Sequence, residues 1–160
     1  MKIYCQTGIE LEIAPNSAGF FTFDGMNLHR AIFEGLNLQR STFLNADLRG
    51  ALFVGTDVSE ANFSGAALMN ALFLRSKLRA AILATSRPIA ADFEMADLTN
   101  ADFQQADIGF ANFANACLAG ANMLAIGVKR ANFKGATFDI ATKWPRDFRA
   151  VAAGARLLLP

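Results

Sequence analysis

The chain has 160 residues, and its 53% hydrophobic content is enough to build the core of one domain of ordinary size. Fifteen Lys and Arg against fourteen Asp and Glu leave a formal charge of +1, which excludes bulk electrostatic attraction to nucleic acid or to an anionic membrane. The two cysteines, Cys5 and Cys117, are too few for a disulfide framework or a thiolate metal site.

Residues 1–20 are predicted to cap the amino-terminal end of the fold. The segment IYCQTGIELEI, residues 3–13, alternates around Gly8 as a short β segment or hairpin does, and Pro15 to Gly19 then form a turn. Gln, Glu and Asn interrupt its apolar residues, so it lacks the unbroken apolar run of a signal peptide.

Residues 21–140 repeat a five-residue pattern in 24 units, with no shift of register. The central position of each unit, from Phe23 to Phe138, is Phe or Leu in 19 units, and the position two residues earlier is Ala in 16. Five residues turn through about 140° on an α-helix, and on a flat strand an odd step changes the face. The pattern therefore indicates a chain that turns a corner every five residues, with each central side chain pointing inward beside a small Ala. Asp, Asn, Gly and Ser fill the other positions, as turns require.

Units such as ADLTN, ADFQQ, ANFSG, ANFAN and ANFKG resemble the pentapeptide repeat family, and the resemblance covers about three quarters of the chain. It implies an all-β fold, a right-handed quadrilateral β-helix in which four units make one coil, and hence about six coils. Positions twenty apart do collect like residues: one side of the predicted coil holds Phe33, Phe53, Phe73, Phe93, Phe113 and Phe133. A ten-residue coil would produce the same alternation, so the period of twenty rests partly on the resemblance.

The unit SRPIA, residues 86–90, places Pro88 at a central position. Looping these five residues out would move Phe93 away from the other phenylalanines of its side, so we interpret the unit as a distorted corner that keeps its place. Pro88 removes a backbone donor and weakens the ladder locally. A functional loop is the alternative.

Residues 141–160 are predicted to close the other end with a short helix. Pro145 suits the first helical position, Phe148 and Val151 lie on one side, and Gly154 suits the end. The segment TKWPRDF is similar to the TxFPxxF closing segment common in cyanobacterial members of the family, with Trp144 in place of Phe.

The tail Leu157, Leu158 and Leu159 is more apolar than a cap requires, which leaves room for a homodimer through the carboxyl-terminal segment. The resemblance agrees, because the quinolone-resistance members of the family dimerise through this end.

The sequence contains no recognisable catalytic or ligand-binding motif. The only histidine, His29, follows a central position and is expected to face solvent. Paired catalytic carboxylates, a Ser, His and Asp set, a Gly-rich phosphate motif and the usual metal spacings are missing, so we expect no enzyme, no metal and no cofactor. No apolar run approaches the ~20 residues of a membrane helix, and we expect a soluble cytoplasmic protein without membrane contact.

Two groups of outward positions stand out beside the central residues. The first, called the aliphatic stripe below, consists of Ile32, Leu52, Val54, Met69, Leu72 and Leu74. Three of them, Ile32, Leu52 and Leu72, replace the usual Asp or Asn before the central residue, and the others follow a central residue. The second, called the acidic girdle, consists of Asp92, Glu94, Asp97, Asp102 and Asp107. Tolerated surface hydrophobes and Asp residues that the repeat itself requires are the simpler explanations of the two groups. The carboxyl-terminal end, by contrast, is basic.

The sequence favours a non-enzymatic scaffold that binds another protein, as a bacterial regulatory protein would, through the stripe or the coil edges. The resemblance adds a role like that of the cyanobacterial member that influences heterocyst differentiation. It also implies an alternative, a DNA mimic that binds DNA gyrase. Residues 21–140 carry ten basic and eleven acidic side chains, whereas a duplex carries one negative charge per ~1.7 Å, so support for mimicry is weak. Direct binding of nucleic acid is not expected.

Overall fold

The computed structural model describes residues 1–5, 8 and 10–159, and its main feature is a ladder of parallel one-residue bridges. The bridges join residues twenty apart, as in Thr22↔Thr42, Ile32↔Leu52 and Leu72↔Asp92. Backbone bonds flank each bridge: the N–H of Phe33 donates to the carbonyl of Leu52 at 2.7 Å. Four five-residue sides therefore complete one coil, and the period of twenty is confirmed over a period of ten.

Each corner is made by the second residue after the central position, which adopts a left-handed backbone conformation. Gly25 has φ 64° and Arg30 has φ 57°, and the same conformation recurs every five residues as far as Gly120. The turn is closed by a hydrogen bond such as that from the N–H of Met26 to the carbonyl of Phe23, at 3.1 Å. The corner is thus a backbone property that the repeat imposes on Gly and non-Gly residues alike.

Two opposite sides of the coil contribute mostly phenylalanine rings to the interior, and the other two contribute mostly Leu, Val and Ile. The column named for its first member, the Phe33 column, consists of Phe33, Phe53, Phe73, Phe93, Phe113 and Phe133, with ring centroids 4.5 to 5.2 Å apart. Rings of the opposite column meet them edge to face at 5.6 to 5.8 Å, a favourable aromatic geometry. The alanines two residues before these rings, such as Ala51 and Ala71, are fully buried. Their small size lets the backbone approach the ring edges.

Extended strands occur only at the two ends of the described chain and beside the first coil. Strand β1 (Lys2–Cys5) pairs antiparallel with β2 (Glu10–Glu12) on one edge and with β3 (Ala31–Ile32) on the other. Ile3 and Cys5 are buried, so this pair covers the apolar end of the first coil. The middle of the predicted hairpin, at residues 6, 7 and 9, lies outside the described residues.

The repeat is not free of register shifts, contrary to the sequence-based prediction. Asp107 pairs with Ile126, nineteen residues on, and the twenty-residue spacing returns at Asn112↔Asn132. Between these two bridges lies a 3-10 turn, Val128–Arg130, which restores the twenty-residue spacing. Val128 is still buried. Gly127 makes this possible, because a Cβ there would lie 2.8 Å from the backbone nitrogen of Gly109.

The predicted carboxyl-terminal helix is wrong: the described chain contains no α-helix there. Lys143 pairs with Asn122, twenty-one residues earlier, so the ladder extends past residue 140. Trp144 and Phe148 then pack against the ring of Phe133, at 5.2 and 5.4 Å. These two rings cover the aromatic surface left by the last full coil. A helix starting at Pro145 would move them away from that surface.

One helical turn remains near the end of the chain, and Gly154 terminates it as predicted. Gly154 has φ 92°, and the N–H of Ala155 reaches back to the carbonyl of Ala150 at 3.0 Å, the 6→1 bond of a Schellman ending. The chain then forms β5 (Arg156–Leu157), which pairs in parallel with β4 (Thr137–Phe138).

The Pro88 unit keeps its place in the winding, as the sequence predicts. Pro88 is buried at its central position, Ala67↔Arg87 preserves the ladder before it, and Phe73 and Phe93 remain stacked at 5.0 Å. The ladder is nevertheless interrupted at this point, since Pro88 has no N–H to donate towards the carbonyl of Asp107.

Candidate surface for protein binding

The aliphatic stripe is brought together by direct backbone pairing. Ile32 bridges to Leu52, and Leu52 bridges to Leu72, so the three side chains form one continuous outward column. Val54 and Leu74 flank it on the other side of their central phenylalanines, and Met69 lies at the neighbouring corner, half-buried. Leu72 is 37% exposed and the others are half-buried.

Three aliphatic residues of the stripe lack a hydrogen bond that Asp or Asn makes at the same repeat position. In twelve of the 24 units this position is Asp or Asn, whose Oδ1 accepts the N–H two residues later, as Asp92 does from Glu94 at 2.9 Å. In the described part of the chain, no side chain accepts the N–H groups two residues after Ile32, Leu52 and Leu72. A hydrogen bond of this kind contributes about 0.5–1.5 kcal/mol net, so three coils in succession forgo local stability on one side.

Tyr4 extends the stripe, and sequence reasoning did not find it. Strand β1 pairs Tyr4 with Ile32, which places the phenol ring next in the outward column, and Tyr4 is 52% exposed. The signal was present in the alternation of Ile3, Tyr4 and Cys5, since buried neighbours on both sides put the middle residue outward. What sequence alone could not supply was the pairing of β1 with β3.

The stripe ends sharply at the fourth coil. Leu72 bridges to Asp92, and from there the column is polar: Asn112 Nδ2 donates to Asp92 Oδ1 at 2.9 Å, and Asn132 Nδ2 donates to Asn112 Oδ1 at 2.9 Å. One side of the rod is therefore divided into an apolar half and an amide-bonded half.

The acidic girdle does not form a single acidic face. Asp92 and Glu94 lie on the Phe33 column side, and Asp97, Asp102 and Asp107 lie on the next three sides of the same coil. Each of the four Asp residues accepts the backbone N–H two residues later, at 2.9 to 3.1 Å. These carboxylates serve the corners, as the simpler explanation of the girdle requires.

Asp97 shows how closely such a carboxylate is held by its own coil. Burial on its own raises the pKa of Asp97, but bonds from the Thr99 hydroxyl and backbone, together with the Arg79 guanidinium, outweigh it and hold the pKa below its ordinary value. Arg79 Nη1 lies 3.1 Å from Asp97 Oδ2. The carboxylate of Asp97 is thus already engaged by groups of its own chain.

The described residues contain no group of His, Cys, Asp and Glu side chains placed to hold a metal ion. His29 is half-buried and Cys117 is partly buried, with its sulfur 3.4 Å from the Thr99 hydroxyl. None of the described helices is long and apolar enough to cross a membrane.

A four-sided solenoid built from stacked five-residue units belongs to the class of repeat proteins, in which each repeat contacts its neighbours. The sequence profile described as Pentapeptide repeats matches residues 22–53, 45–83 and 89–123, in eight copies. The chain belongs to the pentapeptide repeat family. A comparison with curated proteins produced no match.

Solved structures of pentapeptide repeat proteins resemble this chain, and cyanobacterial proteins are among them. Rfr23 from the cyanobacterium Cyanothece 51142 is 20% identical, with 78% of this chain and 88% of that chain covered and a TM-score of 0.58. HetL from Nostoc sp. strain PCC 7120, a protein involved in heterocyst differentiation regulation, is 21% identical, with 78% of each chain covered and a TM-score of 0.30. QnrB1, a plasmid-mediated fluoroquinolone resistance protein, is 19% identical, with 76% and 73% covered and a TM-score of 0.43. At these identities the likeness concerns the fold alone, a right-handed quadrilateral β-helix.

Proposed function

We propose that this protein is a non-enzymatic, cytoplasmic scaffold that binds another protein, as a bacterial regulatory interaction protein does, through the aliphatic stripe extended by Tyr4. The observation that carries the proposal is the continuous outward column of Tyr4, Ile32, Leu52 and Leu72. In this proposal residues 21–140 are the repeat body and residues 1–20 and 141–160 its two caps, with the backbone ladder continuing as far as Lys143.

The composition of the stripe supports a protein partner. Aromatic and aliphatic side chains without charge are typical of the centre of a protein interface, whereas its rim is polar. Here Glu34 and Glu94 flank the column of Val54 and Leu74 at its two ends, and Lys2 and Glu10 form an ion pair at 2.6 Å beside Tyr4. An apolar centre with a charged border is the arrangement expected of a reversible interface.

The alternative, a DNA mimic that binds gyrase, finds less support in the charge distribution. A mimic needs an extended negative face, but the girdle encircles one coil and its carboxylates accept bonds from their own backbone. The sequence-based prediction of a homodimer through the carboxyl-terminal segment is tested by sedimentation analysis, although the excess of positive charge at that end disfavours a symmetric contact.

The stripe is tested by Leu52→Asn with Leu72→Asn, compared with wild type as bait in a lysate of the source organism. Asn occurs at this repeat position in six other units and supplies the missing turn acceptor, so we expect the double variant to unfold at or above the wild-type temperature. We expect the partner, identified by mass spectrometry, to bind wild type and to be lost from the variant, with affinity lowered about tenfold or more when remeasured with purified partner.

Ile82→Asn is the matched control. Ile82 occupies the same repeat position on the opposite side and is 39% exposed, close to the 37% of Leu72. It should retain the partner. A partner held equally by all three proteins would contradict the assignment of function to the stripe.

A further inference from the structure

The carboxyl-terminal end carries an open apolar cavity of about 520 Å³ that no residue of the stripe lines. Its walls are the rings of Phe138, Trp144 and Phe148 together with Val151, which is 64% exposed. Arg149 is the one charged residue among the described residues of the lining. A cavity of this size, within the ~300–1,000 Å³ range of ligand pockets, accommodates a bulky apolar side chain beside an anionic group.

The same end has a strong excess of positive charge. Residues 129–156 contain seven Lys and Arg but only two Asp, Asp139 and Asp147. Lys129 pairs with Asp147 at 2.5 Å, and in the described structure the six other cations form no ion pair. Arg130 instead lies over the ring of Phe110, 5.1 Å from its centroid. These six residues are called the basic rim: Arg130, Lys134, Lys143, Arg146, Arg149 and Arg156. Their combined positive charge is more than a single carboxylate could neutralise.

Strand β5 also leaves a backbone edge open at this end. Arg156 and Leu158 donate their N–H groups inward, to the carbonyls of Ala136 and Phe138, each at 2.7 Å. Because alternate residues of a strand point their amides to opposite edges, the N–H of Leu157 faces outward. An outer edge of this kind can pair with an extended segment of another chain.

We propose that this end is a second docking site, which binds an extended acidic peptide segment of a partner protein. A bulky apolar side chain of the segment fills the cavity, its carboxylates face the basic rim, and its backbone pairs with β5. A second copy of this chain fits less well, since two basic rims would face each other across a symmetric contact. The site is separate from the stripe and stands or falls independently of it.

The test uses a fluorescein-labelled synthetic peptide with a central phenylalanine and two glutamates on either side. We expect saturable binding by fluorescence anisotropy and a matching change in the emission of Trp144, the only tryptophan of the chain. Replacing the phenylalanine of the peptide by alanine should weaken binding about tenfold or more, and so should Arg149→Glu, because each removes one of the two recognition elements. Arg87→Glu, an equal change of charge at an exposed arginine far along the chain, should bind as wild type does.

A second pair of variants guards against misfolding. Val151→Asp places a charge on the cavity wall and should abolish binding, whereas Ile140→Asp, at a residue 85% exposed and outside the cavity, should reduce it little. Leu72→Asn should leave peptide binding unchanged, which separates this site from the stripe. Three results would overturn the proposal. The first is equal binding of both peptides without a change in the emission of Trp144. The others are a salt-independent dimer that excludes the peptide, and binding to phosphatidylserine vesicles only.

Discussion

At the scale of the residue, the corner position is where sequence and backbone geometry conflict most. Among the residues that the structure describes, fourteen non-glycine residues have positive φ, and all lie at the second position after a central residue. Asn45, Asn100 and Asn115 tolerate this conformation well, since Asn is enriched in the left-handed region. Thr85, at φ 59°, does not, because a β-branched side chain is crowded there.

Thr85→Gly should therefore stabilise the fold. Relief of the left-handed strain is worth about 1–2 kcal/mol, and the greater freedom of glycine in the unfolded chain offsets roughly half of it. We expect a net gain of about 0.5–1 kcal/mol in the free energy of unfolding, measured by urea denaturation. The reverse change at an equivalent open corner, Gly55→Thr, should lose a similar amount. A stabilised Gly55→Thr would show that corner strain does not control stability here.

At the scale of the element, the Pro88 unit is the weakest rung described. Its neighbours in the same column, Leu68 and Ile108, donate their N–H groups to the next coil at 3.2 and 2.9 Å, and Pro88 cannot. Pro88→Leu should restore that bond to the carbonyl of Asp107. We expect about 1 kcal/mol of added stability and slower hydrogen exchange at Arg87 and Ile89. Unchanged exchange with lower stability would mean that the interior lacks room for the leucine.

The elements also show how much could be read from the sequence. The five-residue period predicted the inward Phe33 column and its alanines, because steric fit in a narrow interior leaves few alternatives. The prediction of a carboxyl-terminal helix was wrong because it rested on local helix signals at Pro145 and Gly154. The packing of Trp144 and Phe148 on Phe133, a contact between distant units, outweighs these signals. For the same reason Tyr4 and the terminal cavity were missed, since both depend on which strand pairs with which coil.

At the scale of the whole molecule, charge is arranged along the rod and not on one face. The repeat body is nearly neutral, the girdle surrounds one coil, and the basic rim lies at the carboxyl-terminal end. A negative face of duplex length does not arise from this arrangement. We therefore expect no inhibition of gyrase supercoiling and no protection from quinolones in a purified assay. Inhibition that Asp92→Asn with Asp102→Asn relieves would favour the mimic instead.

Because each coil in the regular part of the ladder takes twenty residues, this protein can change length there only in certain steps without altering its surfaces. Loss or duplication of twenty codons in the middle of the gene would shorten or lengthen the rod by one coil, and every later residue would stay on its own side of the solenoid. A change of five codons would rotate everything downstream by a quarter turn. Leu72 would then no longer follow Leu52 in the column. In the evolution of such proteins we expect insertions and deletions of whole coils, because these keep a binding surface intact while the length of the solenoid changes.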